Sequence, residues 1–202
     1  MIWNNGVIQD LGTLGGPTSE AHGINNLGIA VGFSDTPADG QRAFVWNSGV
    51  MTEIGALPGD TSSRADHIND SGMVVGGSEG SGGVRAFVWT QQSGIQPLGS
   101  LSGSSYSEAF GINNLGQVVG QSGSPLGTRA FFWTSSGGMV DLNNVVTGVP
   151  VNVVLTGAIG INDKGEIVAF GIQNPSTNRH QMATMDSHFH SGPIHVFLLT
   201  PQ

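Results

Sequence analysis

The sequence predicts an all-β fold, a small β-propeller of four four-stranded blades. Three observations carry that expectation. The pentad "RAFVW" stands at 42–46 and again at 85–89, with "RAFFW" at 129–133. Ile-Asn pairs fall at 24–25, 68–69, 112–113 and 161–162, spacings of 44, 44 and 49 residues. No stretch shows helical periodicity, while each period holds four short β segments punctuated by Gly and Asn. Four antiparallel strands in a unit of this length match a propeller blade.

Each element follows from its residues. Strand a is "EAHGI" (20–24), with small residues recurring at Ala21, Ala65, Ala109 and Ala158. Small side chains suit the crowded innermost strand of a ring with few blades. The turn after it is Asn-Asn-Leu-Gly (25–28), repeated at 69–72, 113–116 and 162–165. Asn caps such a turn with its side chain, and Gly takes the positive φ at its end. Strand b is "IAVGF" (29–33). Strand c is the pentad, with Arg42, Phe44 and Trp46 on one face and Ala43 and Val45 on the other. A large face against a small face suits blade stacking. Strand d is "VMTEI" (50–54), and "LGGPTS" (14–19) and its copies lead into the next unit.

The expected blades span about 13–55, 56–99, 100–143 and 144–202, the last joined by 1–12. "HVFLL" (195–199) is read as the fourth pentad, with His195 in the Arg place and Leu199 in the Trp place. The last blade is then expected to take strands a, b and c from the C-terminal end and strand d from residues 7–11. Such closure leaves no free sheet edge. The structural rival is a half ring that pairs with a second copy.

These motifs resemble the HAF-repeat family of bacterial extracellular repeats. The residues that carry the resemblance are "DLGTLGG" (10–16), "SEAHGINNLGIAVG" (19–32), "RAFVW" (42–46), "GVMTEIG" (49–55) and the closing "HVFLLTP" (195–201). The match runs along nearly the whole chain and departs at 173–193. It implies a secreted or surface β-repeat protein. It transfers no activity and no catalytic residue.

Composition narrows the function. Charged residues are 10% of the 202, Gly numbers 33, and the net charge is -8. That balance argues against nucleic acid or an anionic membrane as partner, because both need clustered Lys and Arg. With no Cys there are no disulfides and no thiolate metal site. No apolar run reaches membrane-spanning length. The first residues lack a basic and an apolar region, so no signal peptide is expected in this chain. The expected location is extracellular or at the cell surface.

Features that recur in every unit are expected to serve the unit. The Arg at 42, 85 and 129 are expected to pair with strand d acids such as Asp10, Glu53 and Asp141, and the Trp to be buried. The Asn-Asp-x-Gly turns at 69–72 and 162–165 lack the further acids of calcium loops. Positions that vary between units are better candidates. The start of strand a reads Glu20, Arg64, Glu108 and Gly157, and two places on it reads His22, Asp66, Phe110 and Ile159. Glu20, His22, Arg64, Asp66, Glu108 and Phe110 are therefore the expected ligand-binding set, at one mouth of the ring, for a glycan or a protein. Glu20 and Glu108 form the alternative catalytic pair, a carbohydrate-active hydrolase or lyase. The loop 174–193 carries His180, Asp186, His188 and His190. His-x-His spacing is one that zinc sites use, so these four are the candidate ligands of a divalent metal. No cofactor is otherwise expected. The solution state is expected to be a monomer, or a homodimer completing a larger ring.

Overall fold

A computed structural model describes residues 1–4, 6–38, 40–173 and 193–201. The fold is all-β. Three repeats each form a four-stranded antiparallel sheet in chain order. They are β3 (Ser19–Ile24) to β6 (Val50–Gly55), β7 (Ser62–Ile68) to β10 (Gly94–Pro97), and β11 (Ser107–Ile112) to β14 (Gly138–Asp141). Between these lie β4 (Ala30–Asp35), β5 (Gln41–Asn47), β8 (Val74–Gly80), β9 (Gly83–Thr90), β12 (Val118–Ser122) and β13 (Arg129–Thr134). A fourth sheet holds three strands, β15 (Val153–Ile161), β16 (Ile167–Gln173) and β17 (Ile194–Leu199). A two-stranded hairpin, β1 (Ile2–Asn4) and β2 (Val7–Gln9), precedes the first sheet.

The expected shared sheet is not formed. Residues 7–9 pair with residues 2–4, and among the described residues β17 has no strand on its second edge. The reason is local. Ile2, Trp3 and Asn4 pair with Gln9, Ile8 and Val7 in the register of Val45, Trp46 and Asn47 on Thr52, Met51 and Val50. Residues 2–4 are thus the end of another strand c, and they occupy the edge of β2 that β17 was expected to take. β17 itself pairs with β16 as β5 pairs with β4, so His195 and Leu199 do hold the places of Arg42 and Trp46.

The repeats stack face to face, and the pentad supplies both faces. Ala43 and Val31 pack with Leu57, Ala65 and Phe87 of the second repeat, with Val45 partly buried beside them. Ala86 and Val75 pack in the same way with Ala109 and Phe131 of the third. Phe44, Phe87 and Phe131 are wholly enclosed. Trp46 is buried and Trp89 and Trp133 are partly buried against these cores, whereas Trp3 is 72% exposed. Among the described residues, no repeat covers the large face of this N-terminal hairpin, where Ile8 is exposed as well.

Two polar devices tie neighbours together. In every repeat the first Asn of the turn caps it from within: Asn69 Oδ1 accepts from the N–H groups of Ser71 and Met73. Its Nδ2 donates to the carbonyl of Asn113 in the next repeat at 3.0 Å. Asn25 does the same to Asn69, and Asn113 to Asn162. The second device is serine. The backbone N–H of Ala43 donates to Ser63 Oγ, and that of Ala86 to Ser107 Oγ, both at 2.9 Å across a repeat boundary.

Strand a carries one further feature. Its pairing with strand b slips at a bulge at His22, Asp66, Phe110 and Ile159. The carbonyl two residues before the bulge presses on a strand b glycine. A Cβ on Gly32, Gly76 or Gly120 would collide with the carbonyl oxygen of Glu20, Arg64 or Glu108. The fourth repeat has Ala169 in this place, and β15 has a second slip between Leu155 and Gly157.

Candidate ligand-binding site

The bulge re-aims the residues that vary. A bulged residue leaves the alternation of its strand and turns its side chain to a new direction. His22 and Asp66 thereby meet across the first repeat boundary, with His22 Nδ1 3.3 Å from Asp66 Oδ1. His22 Nε2 lies 3.5 Å from Glu20 Oε1, and its ring stands edge-on to Phe33. Arg64 Nε donates to Asp66 Oδ1 at 2.8 Å, and its Nη2 reaches Glu108 Oε1 of the third repeat at 2.5 Å. Glu108 Oε2 accepts from the Tyr106 hydroxyl at 3.1 Å and from Gln121 Nε2 at 3.2 Å. Five of the six expected binding residues therefore join one polar chain across three repeats. Phe110 stands at the equivalent bulge, half-buried, and adds no charge.

The electrostatics follow from half-burial. Burial pushes the Asp66 carboxyl above its ordinary value, against the opposing pull of Arg64 and His22. Burial also works against the Arg64 cation, but its bonds to Asp66 and Glu108 outweigh that and hold its pKa above the ordinary value. The Tyr106 hydroxyl is pushed up to about 12, by burial first and then by the Glu108 charge.

Arg64 and Glu108 open into a groove of about 160 Å³ between the first two repeats, shared with Phe33, Gln41, Glu79 and Val84. The matching groove between the third and fourth repeats is larger, about 400 Å³, and more apolar, with Leu126, Val154, Phe170 and Ile172. Gln121 belongs to both the polar chain and the second groove. Tyr106, Gln121 and Phe33 were not expected. Tyr106 is the chain's single Tyr and lies two residues before Glu108, while Gln121 and Phe33 hold one position of strand b that varies between repeats.

The catalytic alternative finds its two carboxylates in different surroundings. Glu20 has His22 as its partner, while both Glu108 oxygens are engaged by Arg64, Tyr106 and Gln121. The recurring Arg are structural pairs, Arg42 with Glu53 at 3.4 Å and Arg129 with Asp141 at 3.8 Å. Arg85 lacks a strand d acid and takes Asp60 from the connecting segment, at 2.8 Å. Asp10 instead accepts from the N–H of Gly12. The acids of the Asn-Asp-x-Gly turns are occupied between repeats. Asp70 accepts from Asn26 and Asn114, and Asp163 from Asn114.

The candidate metal ligands His180, Asp186, His188 and His190 lie outside the described residues. Among the described residues, no group of three or more His, Asp or Glu side chains is placed to hold a metal ion, and no helix is long and apolar enough to cross a membrane. No protein-family model matches this chain, and no curated protein is significantly similar to it.

Proposed function

We propose that this chain is a propeller-type repeat module of an extracellular or cell-surface protein, and that it binds a glycan or a protein at the groove between its first two repeats. One observation carries the reading. The scaffold is built from recurring residues, yet the polar chain from Glu20 to Gln121 uses positions that vary between repeats. Nothing in the stacking of the sheets requires these residue types there. The Arg64 cation, the Glu79 and Glu108 carboxylates and the Gln41 amide, lining the groove with the Phe33 ring, make a set that hydrogen-bonds sugar hydroxyls or a polar peptide. The four Asn turns line one cavity of about 250 Å³, which supports their convergence on an axis as in a propeller. The resemblance to bacterial extracellular repeats supports the surface location.

The test is a melting-temperature screen of the chain against soluble glycans. A shift of several degrees with one glycan class, lost in Arg64→Ala and kept in Arg85→Ala, supports the site. No shift with any glycan sinks the glycan arm. Capture of a surface-protein partner that is abolished by Arg64→Ala then supports the protein arm, and capture indifferent to Arg64 sinks the site.

A further inference from the structure

The two ends of the stack are complementary pieces of one repeat. The N-terminal hairpin is a strand d held by only three residue pairs to a fragment of strand c. The C-terminal sheet is a, b and a full-length c with its second edge open among the described residues. In complete repeats the strand d residues Ile95 and Met139 pack against the core shared with the preceding repeat. The corresponding place in the fourth sheet is a cavity of about 440 Å³ lined by Phe132, Leu142, Val145, Ile167 and Leu199. Ile8, the residue that aligns with Ile95 and Met139, is 67% exposed. Val196 and Leu198 stand where Ala43 and Val45 face the next repeat, and they are 72% and 65% exposed.

The polar devices end in the same complementary way. Ser19 donates to the Gly12 carbonyl, as Ser63 does to Gly55 and Ser107 to Gly99. In the latter two the serine oxygen also accepts an N–H from the preceding repeat's strand c, and the matching N–H is that of Val196. A Cβ on Gly23 or Gly111 would meet the next strand a, whereas one on Gly160 would meet nothing within 4 Å.

We propose that β17 of one copy of this chain replaces β1 on β2 of a second copy, joining the copies head to tail through a composite repeat. The register is that of β5 on β6: Phe197 opposite Asp10, Leu198 opposite Gln9, Leu199 opposite Ile8. Ile8 enters the 440 Å³ cavity and takes up part of it. Leu198 takes the place of Ile2 against Phe44 and Trp46. His195 comes to Asp10 as Arg42 comes to Glu53. The full pairing of β5 with β6 spans five residue pairs, against three for β1 with β2, so the exchange gains backbone hydrogen bonds. A second copy is the occupant because it requires only that β1 let go. Joining the ends within one chain also requires the stacked repeats to shift until strand a of the first meets Gly160. The contact is heterologous, so it builds closed rings or open filaments.

The test uses two variants of the full chain, Ile8→Asp and Leu198→Asp. Both residues are exposed, and circular dichroism checks that each variant folds. Sedimentation should show the parent chain associating as concentration rises and each variant alone as a monomer. An equimolar mixture of the two variants should form a dimer and nothing larger, since only one working junction remains. Parent chain that stays monomeric, or variants that associate as it does, overturns the proposal. The Cys-free sequence permits a second measurement. Ile8→Cys and Leu199→Cys on separate chains should cross-link on mixing. The same two substitutions on one chain giving only an intramolecular disulfide overturns the second copy as occupant.

Discussion

Asn69 donates its side-chain amide to the main-chain carbonyl of Asn113, one repeat further on, at 3.0 Å. The same side chain accepts three hydrogen bonds inside its own turn, from the Ser71 and Met73 N–H groups and the Ser71 hydroxyl. One residue therefore shapes the turn and ties it to its neighbour.

Asn69→Ala should cost about 3 kcal/mol, because Asn69 is 3% exposed and its loss leaves buried donors and an acceptor unpaired. Urea or thermal melts check this. Asn162→Ala should cost clearly less, since the Asn162 amide donates to Glu166 within its own repeat.

Gly76→Ala should also destabilise by about 3 kcal/mol, roughly 6–12 °C in Tm at this chain length, because its Cβ collides with the Arg64 carbonyl. Gly82→Ala is the control. Its Cβ meets nothing within 4 Å, and its Tm should hold.

Tyr106 is the chain's single Tyr, so its ionisation is read directly from tyrosinate absorbance. The midpoint should lie near 12 rather than 10. A raised folded value means the native state holds its proton more tightly. That contribution to stability is whole below pH 10 and is lost as pH rises towards about 12. Glu108→Gln should bring the midpoint down part of the way, leaving the larger share, due to burial, in place.

Asp70 behaves in the opposite sense. The Asn26 side chain and backbone N–H, donating to its carboxylate, hold it below the ordinary value of 3.8. Its contribution is present above that value and fades as pH falls through the lowered one. Carboxyl carbon NMR should find Asp70 titrating low in the parent chain and closer to 3.8 in Asn26→Ala.

The repeat frame was legible in the sequence because its signals are local. Gly28, Gly72, Gly116 and Gly165 all take positive φ at the turn ends, and the strands between them lie within one or two residues of where alternation puts them. Glu20, His22, Asp66, Arg64 and Glu108 could be singled out together because they hold two neighbouring register places, Glu20/Arg64/Glu108 and His22/Asp66, in successive strands a. The bulge that aims them was not legible, since a one-residue slip leaves only the faint mark of Ala-x-Gly in three repeats and Ala65-Asp66-His67 in the other. Tyr106 and Gln121 were missed because their contact with Glu108 joins a strand to its approach and to its neighbour, which composition does not announce. Residues 2–4 are too short to be read as a strand by periodicity, although they align with Val45–Asn47. That short segment displaced the expected closure.

The glycines beneath the bulges have a further consequence. They fix where strand a steps out of line, and they do so with backbone atoms alone. The side chain at the step is left free to change without disturbing the frame. His22, Asp66 and Phe110 are three answers to the same structural question, written on one glycine support, while Ile159 steps out beside Ala169. A lineage that needs a new ligand can rewrite these letters one at a time and keep the architecture that presents them.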